Sequence, residues 1–469
     1  MRLNSALIKY FIVFAFLWMP AGKTHAQSIL RDAETEEFLN EISKPLFIAA
    51  GLNPESVKIY LLSDKSLNAF VTGGQNIFIH SGLFMEADNV DQLIGVIAHE
   101  TGHISGGHLS RIGDAVSVAT NTSIISMVLG AAAILAGSPD AGMGMFMAGQ
   151  SMAQGQFLAY TRVQESTADQ AGATFLEKSG YSGIGLIEFF EKLRHQEILS
   201  QARQDPYVRS HPLTGTRIQS LRAVVSQSPY YNKGPDPVLN EEFNRLKAKL
   251  FGYITNPTIT LRKYPLSDTS IAAHYARVYA YHKALEWDLA LKEADALIEK
   301  EPHNPFFYEI KGQILFENGH VEQSLPIFES AVAYAPHEPL VATALGQAMV
   351  SLEKEDMMEK AIPILEDATR IDPGNTFAWF NLAKAYSWIG QDAKASLATA
   401  ERFFSAGVPP QAMMHARRAM EGFKPGTPEH LRAQDIFFVS QEATERMERQ
   451  RGRQRLNVTF GQQQELLKE

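Results

Sequence analysis

The sequence predicts two architectures in series: an α+β domain over roughly residues 27–235, then an all-α helical-repeat solenoid over 269–407. Three observations carry this reading. Short β-branched and aromatic runs at 57–62 and 76–79 stand beside long segments of helical periodicity. A His/Glu/Asp constellation falls on or near those helices between residues 99 and 217. Beyond residue 265, Pro302, Pro336 and Pro373 recur at intervals of 34 and 37 residues.

Composition narrows the chemistry. The 469 residues are 45% hydrophobic and 20% charged, enough to bury a sizeable core. Lys and Arg number 43 against 52 Asp and Glu, a net charge of -9, which argues against a nucleic-acid partner. The absence of cysteine excludes thiol catalysis, Cys-ligated zinc, iron–sulfur clusters, disulfides and an acylated lipoprotein cysteine. Any metal must therefore sit on histidine and carboxylate.

At the N-terminus, Arg2 and Lys9 make a positive region ahead of an apolar run over 10–19, and Thr24-His25-Ala26 follows. This predicts an export signal cleaved after Ala26 and a periplasmic mature chain, with an uncleaved anchor as the alternative. Phe38, Leu39, Ile42 and Phe47 predict an amphipathic helix over 31–51. The runs at 57–62 and 76–79, joined through 68–71 and the Gly73-Gly74 turn, predict a short antiparallel sheet. Residues 75–79 are expected to offer an exposed edge to which an extended polypeptide adds as a strand.

From 89 to 105, Leu93, Val96, Ile97 and Ile104 recur at helical spacing, and Gly106-Gly107 offers a stop. Residues 124–152 are apolar and rich in Met and Gly, with Asp140 as their one charge. They read as a buried helical hairpin turning at 137–140, with arms too short to span a bilayer; the competing reading is a mobile lid or a membrane-surface segment.

The helix over 89–105 carries His99-Glu100-Thr101-Gly102-His103, an H-E-x-x-H pattern. Residues four apart share a helix face, so His99 and His103 can both present an imidazole to one zinc ion, with Glu100 placed to move the proton of an attacking water. Such a site needs a third protein ligand. The spacing H-E-x-x-H-x-x-G-x-x-H fails here, because Leu109 stands where the last histidine would be. Glu165 and Asp169, one turn apart on a helix over 160–172, fit the need. Glu165 completes a two-His, one-Glu set, and Asp169 accepts the second N–H of a ligating histidine. For Asp169 the competing reading is a surface charge; His108 reads as structural.

In the C-terminal half, Ala290, Ser324 and Ala361 each precede a periodic proline by 12 residues, and Gly312 and Gly346 stand 34 apart. This pattern resembles the tetratricopeptide repeat, in which small residues let paired helices pack closely and proline ends the second helix. About four pairs are expected, with a three-residue insertion near 353–357 in the third. Linker helices over 236–268 precede them, and a helical segment with a charged tail over 408–469 follows.

Taken together, the export signal, His99-Glu100-x-x-His103, Glu165-x-x-x-Asp169, Ser210-His211-Pro212 with Arg217-Ile218, and the repeats resemble the periplasmic zinc metallopeptidases of the BepA type. Those enzymes are related more distantly to HtpX and the CAAX prenyl proteases. The resemblance implies a gluzincin fold and one zinc ion per chain held by His99, His103 and Glu165, with Glu100 as general base. It further implies that His211 can occupy the open metal position and hold the enzyme latent. Arg217 is then a site-supporting or transition-state-stabilising cation, or else a helix-packing salt bridge. Misfolded or misassembled outer-membrane proteins are the implied substrates, and an outer-membrane assembly machine the implied partner of the repeats. A rival from another class is a non-proteolytic chaperone or adaptor whose zinc site is held shut by His211.

Overall fold

The computed structural model describes residues 28–135, 138–199, 207 and 211–466. The export signal, Gly137 of the hairpin turn and Ser210 lie outside the described residues.

Helix α1 (Ala33–Ala49) is started by Asp32, whose side chain accepts from the Thr35 backbone N–H. Its buried face is Phe38, Leu39, Ile42, Leu46 and Phe47. The sheet contains β1 (Ile29–Leu30), β2 (Lys58–Leu62), β3 (Ala69–Thr72) and β4 (Asn76–His80) in the order β1-β2-β4-β3.

Here the structure departs from the sequence reading. β2 and β4 are parallel, with Lys58 opposite Asn76, and only β3 and β4 form the antiparallel hairpin, turning at Gly73 and Gly74, both at positive φ. The chain crosses over after β2 and lays β3 on the far side of β4. Alternation decides which face of a strand is buried but not which strand lies beside it. Ile59, Leu61, Ile77 and Ile79 are all buried as the alternation requires. β4, however, is paired on both sides, so residues 75–79 are not an edge. Among the described residues that side of the sheet ends at β3.

After the short α2 (Ser81–Glu86), α3 (Val90–Ser105) begins at the Asn89 cap, which accepts from the Gln92 N–H, and every residue from Val90 to Gly102 is buried. Gly107, at φ 62°, ends it.

α4 (His108–Leu135) and α5 (Pro139–Lys178) form an antiparallel hairpin. It is not the buried hairpin expected from sequence. Ile124, Ile125, Met127, Val128, Leu129, Met143, Met145 and Met147 are all exposed, because among the described residues no other element covers this part of the hairpin. The helices also run far past the apolar segment, to 28 and 40 residues. The C-terminal part of α5 packs across α3, and α6 (Ile184–Leu199) and α7 (Gly215–Val225) close around the pair.

α8 (Pro237–Ile254) and α9 (Pro257–Lys263) lead into paired helices: α10 (Ile271–Lys283) with α11 (Trp287–Lys300), and α12 (Pro305–Glu317) with α13 (Val321–Tyr334). Next come α14 (Pro339–Ser351) with α15 (Glu355–Ile371), and α16 (Thr376–Trp388) with α17 (Asp392–Ser405). α18 (Pro409–Gly422) and α19 (Pro428–Leu466) continue the stack. Gly312 faces Phe328 and Gly346 faces Leu365, so closely that a Cβ would lie 2.8 and 2.5 Å from those rings and branches. Each pair turns through a positive-φ residue, Leu285, Gly319, Glu353 or Gly390. The extra residues of the third pair follow Glu353 and lengthen α15 to 17 residues, against 14 in α13, so the insertion adds helix, not turn.

The start of the chain is tied to this stack. Lys249 of α8 bonds Asp32 at 2.5 Å and Glu34 at 3.0 Å; Tyr275 of α10 donates to Glu34 at 2.7 Å; and Arg31 reaches Asp372 at 2.8 Å.

Candidate active site

The site is made where α3 and α5 cross. A Cβ on Gly102 would lie 2.7 Å from the Ala168 carbonyl oxygen, and one on Gly172 would lie 3.2 Å from Ala98. Backbones this close bring side chains of the two helices onto one point. His99 and His103 come from α3 and Glu165 from α5, and His211 enters from the segment before α7. One donor atom from each lies within 4.8 Å of the others.

His99 Nε2 is 3.2 Å from His103 Nε2 and 3.2 Å from His211 Nδ1. Glu165 Oε1 is 3.4 Å from His103 Nε2, and its Oε2 is 3.5 Å from His99 Nε2 and 3.0 Å from His211 Nδ1. Three imidazole nitrogens and a carboxylate facing one small volume is the donor chemistry of a zinc site without thiolates. Among the described residues neither carboxylate oxygen of Glu100 has a hydrogen-bond partner, although both are buried; His211 Nε2 lies 3.6 Å from Oε1. A buried carboxylate left in this state has work to do with something that enters the site.

The other nitrogens of the two α3 histidines each lie close to a further side chain. His99 Nδ1 is 3.0 Å from Asp169 Oδ1, and its ring meets Phe190 edge-on. His103 Nδ1 is 2.9 Å from His108 Nδ1, and His108 Nε2 is 3.2 Å from Thr167 Oγ1. Arg217 binds Asp169 through Nε at 2.7 Å and Nη2 at 2.8 Å, donates from Nη1 to the Pro212 carbonyl at 2.8 Å, and meets Glu165 at 3.0 Å. Its guanidinium is thus spent on orienting α5 and the His211 segment.

Electrostatics follow from burial among charges. Burial raises the Glu100 carboxyl above its ordinary value, with the neighbouring histidines only partly opposing it. Burial and then the charge of His99 push His103 down to about 2. Burial alone would depress His99, but Asp169 and Glu165 outweigh it and raise it to about 10. Burial alone would likewise raise Glu165 and Asp169, and both are held below the carboxylate range by His211 and His99 in the first case and by His99 and Arg217 in the second.

Every residue singled out from the sequence, Glu100, His99, His103, Glu165, Asp169, His211 and Arg217, falls in this one cluster. Two neighbours of the cluster stand outside that set. Tyr207, fully buried, stacks on the His211 ring with centroids 4.6 Å apart. His108 was read as structural, but its contact with His103 was not foreseen. A four-residue spacing, Tyr207 to His211, was the available signal for the first; for the second there was none.

The family model for Peptidase family M48 matches residues 33–225. Over 412 residues the chain is 24% identical to the beta-barrel assembly-enhancing protease of Yersinia pestis, covering 86% of this chain and 83% of the relative. It is 31% identical over 185 residues to the metalloprotease YcaL of Escherichia coli K12, covering 39% of this chain and 67% of that protein. Among solved structures, the tetratricopeptide-repeat protein YrrB aligns with 38% of this chain and 91% of its own, at 18% identity and a TM-score of 0.31.

Proposed function

Because the chain belongs to peptidase family M48, we propose that it is a periplasmic zinc endopeptidase that cleaves misfolded or stalled outer-membrane proteins and assists their assembly through its helical repeats. The observation that carries the peptidase reading is the convergence of His99, His103, Glu165 and His211, with the buried carboxylate of Glu100, which has no hydrogen-bond partner among the described residues, beside them. The substrate class is supported by relatives named as proteases that enhance beta-barrel assembly, similar over most of both chains.

In this reading His99, His103 and Glu165 hold the metal. Bound there, zinc would supply a Lewis acid that polarises the scissile carbonyl and makes water acidic enough to attack. Glu100, its carboxyl raised by burial, accepts the proton of that water and returns it to the leaving amine. Asp169 fixes the tautomer of His99 from Nδ1, and Arg217 keeps Asp169 in place. A substrate strand would add to β3, the strand beside which this side of the sheet ends and which packs against α3.

His211 is the fourth donor, and it fills the position that water and substrate need. It is held there by stacking on Tyr207 and by contact with Glu165. We assign it the role of an internal plug that a client must displace. The same contact favours a second reading, in which the plug is permanent and the chain acts only as a chaperone or adaptor. Incubating the zinc-loaded chain with an unfolded outer-membrane protein, beside Glu100→Gln, separates the two. Cleavage that falls by about 10²–10⁴-fold in Glu100→Gln, with zinc retained, is the expected result. Full in vivo complementation by Glu100→Gln would establish the adaptor reading instead.

A further inference from the structure

The α4–α5 hairpin is built inside out. Where its helices touch, the buried residues are Gly130, Gly142, Gly149 and Ala153, while Val128 is 62% and Met147 64% exposed. A Cβ on Gly130 would lie 2.6 Å from the Gly142 carbonyl oxygen, so the backbones are in contact. Thr122, Ser126 and Gly130 place a small residue at every fourth position along the contact line. Hydroxyls and amides also bond across the hairpin, with Thr122 Oγ1 donating to Gln156 at 3.0 Å and Ser123 Oγ to Gln150 at 3.0 Å. A hairpin surrounded by water does the reverse and buries its large apolar side chains. Small residues and hydrogen-bonding groups between helices, with large apolar groups outside, are the pattern of helices packed in lipid.

Charge and length agree with this. Between Asp114 and Arg162 the chain carries one charged residue, Asp140 at the hairpin tip. Asp140 and Arg162 are 22 positions apart on α5, about 33 Å of helix against a bilayer hydrocarbon core of roughly 30 Å. The cross-hairpin contacts of Thr122 with Gln156 and of His108 with Thr167 set a register that brings Arg111 and Asp114 level with Arg162. The hairpin therefore has a charged collar at its base, with more arginine than aspartate to face lipid phosphates, and a single carboxylate at its far end.

We propose that the α4–α5 hairpin is embedded in a lipid bilayer, its apolar sides over 115–135 and 141–161 in the hydrocarbon, its arginine collar at the near headgroups and Asp140 at the far ones. The collar begins only a few residues from His108, which touches His103, so a hairpin embedded in this way would hold the metal cluster close to the membrane surface. This inference rests on the hairpin alone and stands or falls independently of the peptidase reading.

The absence of native cysteine makes a direct test available. Leu129→Cys, Met147→Cys and, as a control at an exposed position of α8, Val238→Cys would each carry an environment-sensitive fluorophore in the full chain. They are mixed with vesicles of phosphatidylethanolamine and phosphatidylglycerol. The proposal requires that the probes at 129 and 147 shift to the blue, lose quenching by aqueous iodide and gain quenching by nitroxide-bearing lipid, while the probe at 238 is unchanged. In the unsubstituted chain, backbone hydrogen exchange over 115–161 should slow only when vesicles are present. Identical readings with and without vesicles overturn the proposal. So does burial that needs no lipid and rises with protein concentration, which would identify a second copy as the cover, or burial that requires an added unfolded polypeptide, which would identify a client.

Discussion

Asp169 holds two partners at once, His99 Nδ1 at 3.0 Å and the Arg217 guanidinium at 2.7 and 2.8 Å. Removing its charge while keeping its shape, Asp169→Asn, should weaken zinc binding by about 10–100-fold, measured by competition with a chelator, with little change in helix content. Arg217→Met would instead leave Asp169 buried with one partner fewer and should cost about 3–5 kcal/mol in a denaturant titration. At this scale the sequence was readable because the chemistry is local: His99, Glu100 and His103 share one helix turn, as do Glu165 and Asp169. Tyr207 left only its four-residue spacing to His211, and the contact of His108 depends on how the neighbouring elements close over α3, which no spacing reports.

Between elements, the position that matters is Gly102. Its missing Cβ lets α3 approach α5 until the backbones touch at Ala168. Gly102→Ala should cost roughly 1–3 kcal/mol by overpacking, and the separation it forces carries Glu165 away from the two histidines. The measurable outcome is a chain that remains helical by circular dichroism yet binds zinc poorly; unchanged zinc affinity would show that the crossing does not set the ligand distances. The helices themselves were predictable from periodicity and caps, Asn89 before α3 and Gly107 after it. Two pairings were not. β2 and β4 both alternate as half-buried strands, and their parallel order depends on a crossover that leaves no pattern in either. The hairpin of α4 and α5 is apolar in a manner that fits a protein core or lipid equally, so its composition alone could not foretell the close packing at Gly130, Gly142 and Gly149.

In the whole molecule, the solenoid and the sheet-bearing half are joined through buried ions. Lys249, Asp32, Glu34, Tyr275 and Arg245 meet at the root of α1. Burial alone would raise the Asp32 carboxyl, but Lys249 outweighs it and holds it below its ordinary value. Lys249 is raised despite burial, chiefly by Asp32. Asp32 therefore adds stability above its unfolded pKa of about 3.9 and loses it as pH falls through its lower folded value. Lys249 adds stability below its unfolded value of about 10.4 and loses it as pH rises through its higher folded one. Lys249→Met should cost about 3–5 kcal/mol near neutrality, where both ions are charged, and that loss should shrink in strong acid once the carboxylates are protonated. Thermal unfolding across pH reads this directly. The repeat period made the solenoid legible, but this junction was not, because it joins Asp32 and Glu34 to residues more than two hundred positions away.

The central claim is that these residues form one zinc-dependent cleavage centre, closed by His211 and worked by Glu100. Its most direct test is the rate at which an unfolded outer-membrane protein is cut by the zinc-loaded chain, by His211→Ala, and by His211→Ala combined with Glu100→Gln. His211→Ala should cleave faster than the native chain and the double variant not at all, with zinc bound in all three. Cleavage that survives in the double variant, or no cleavage by folded, zinc-loaded His211→Ala, would contradict it.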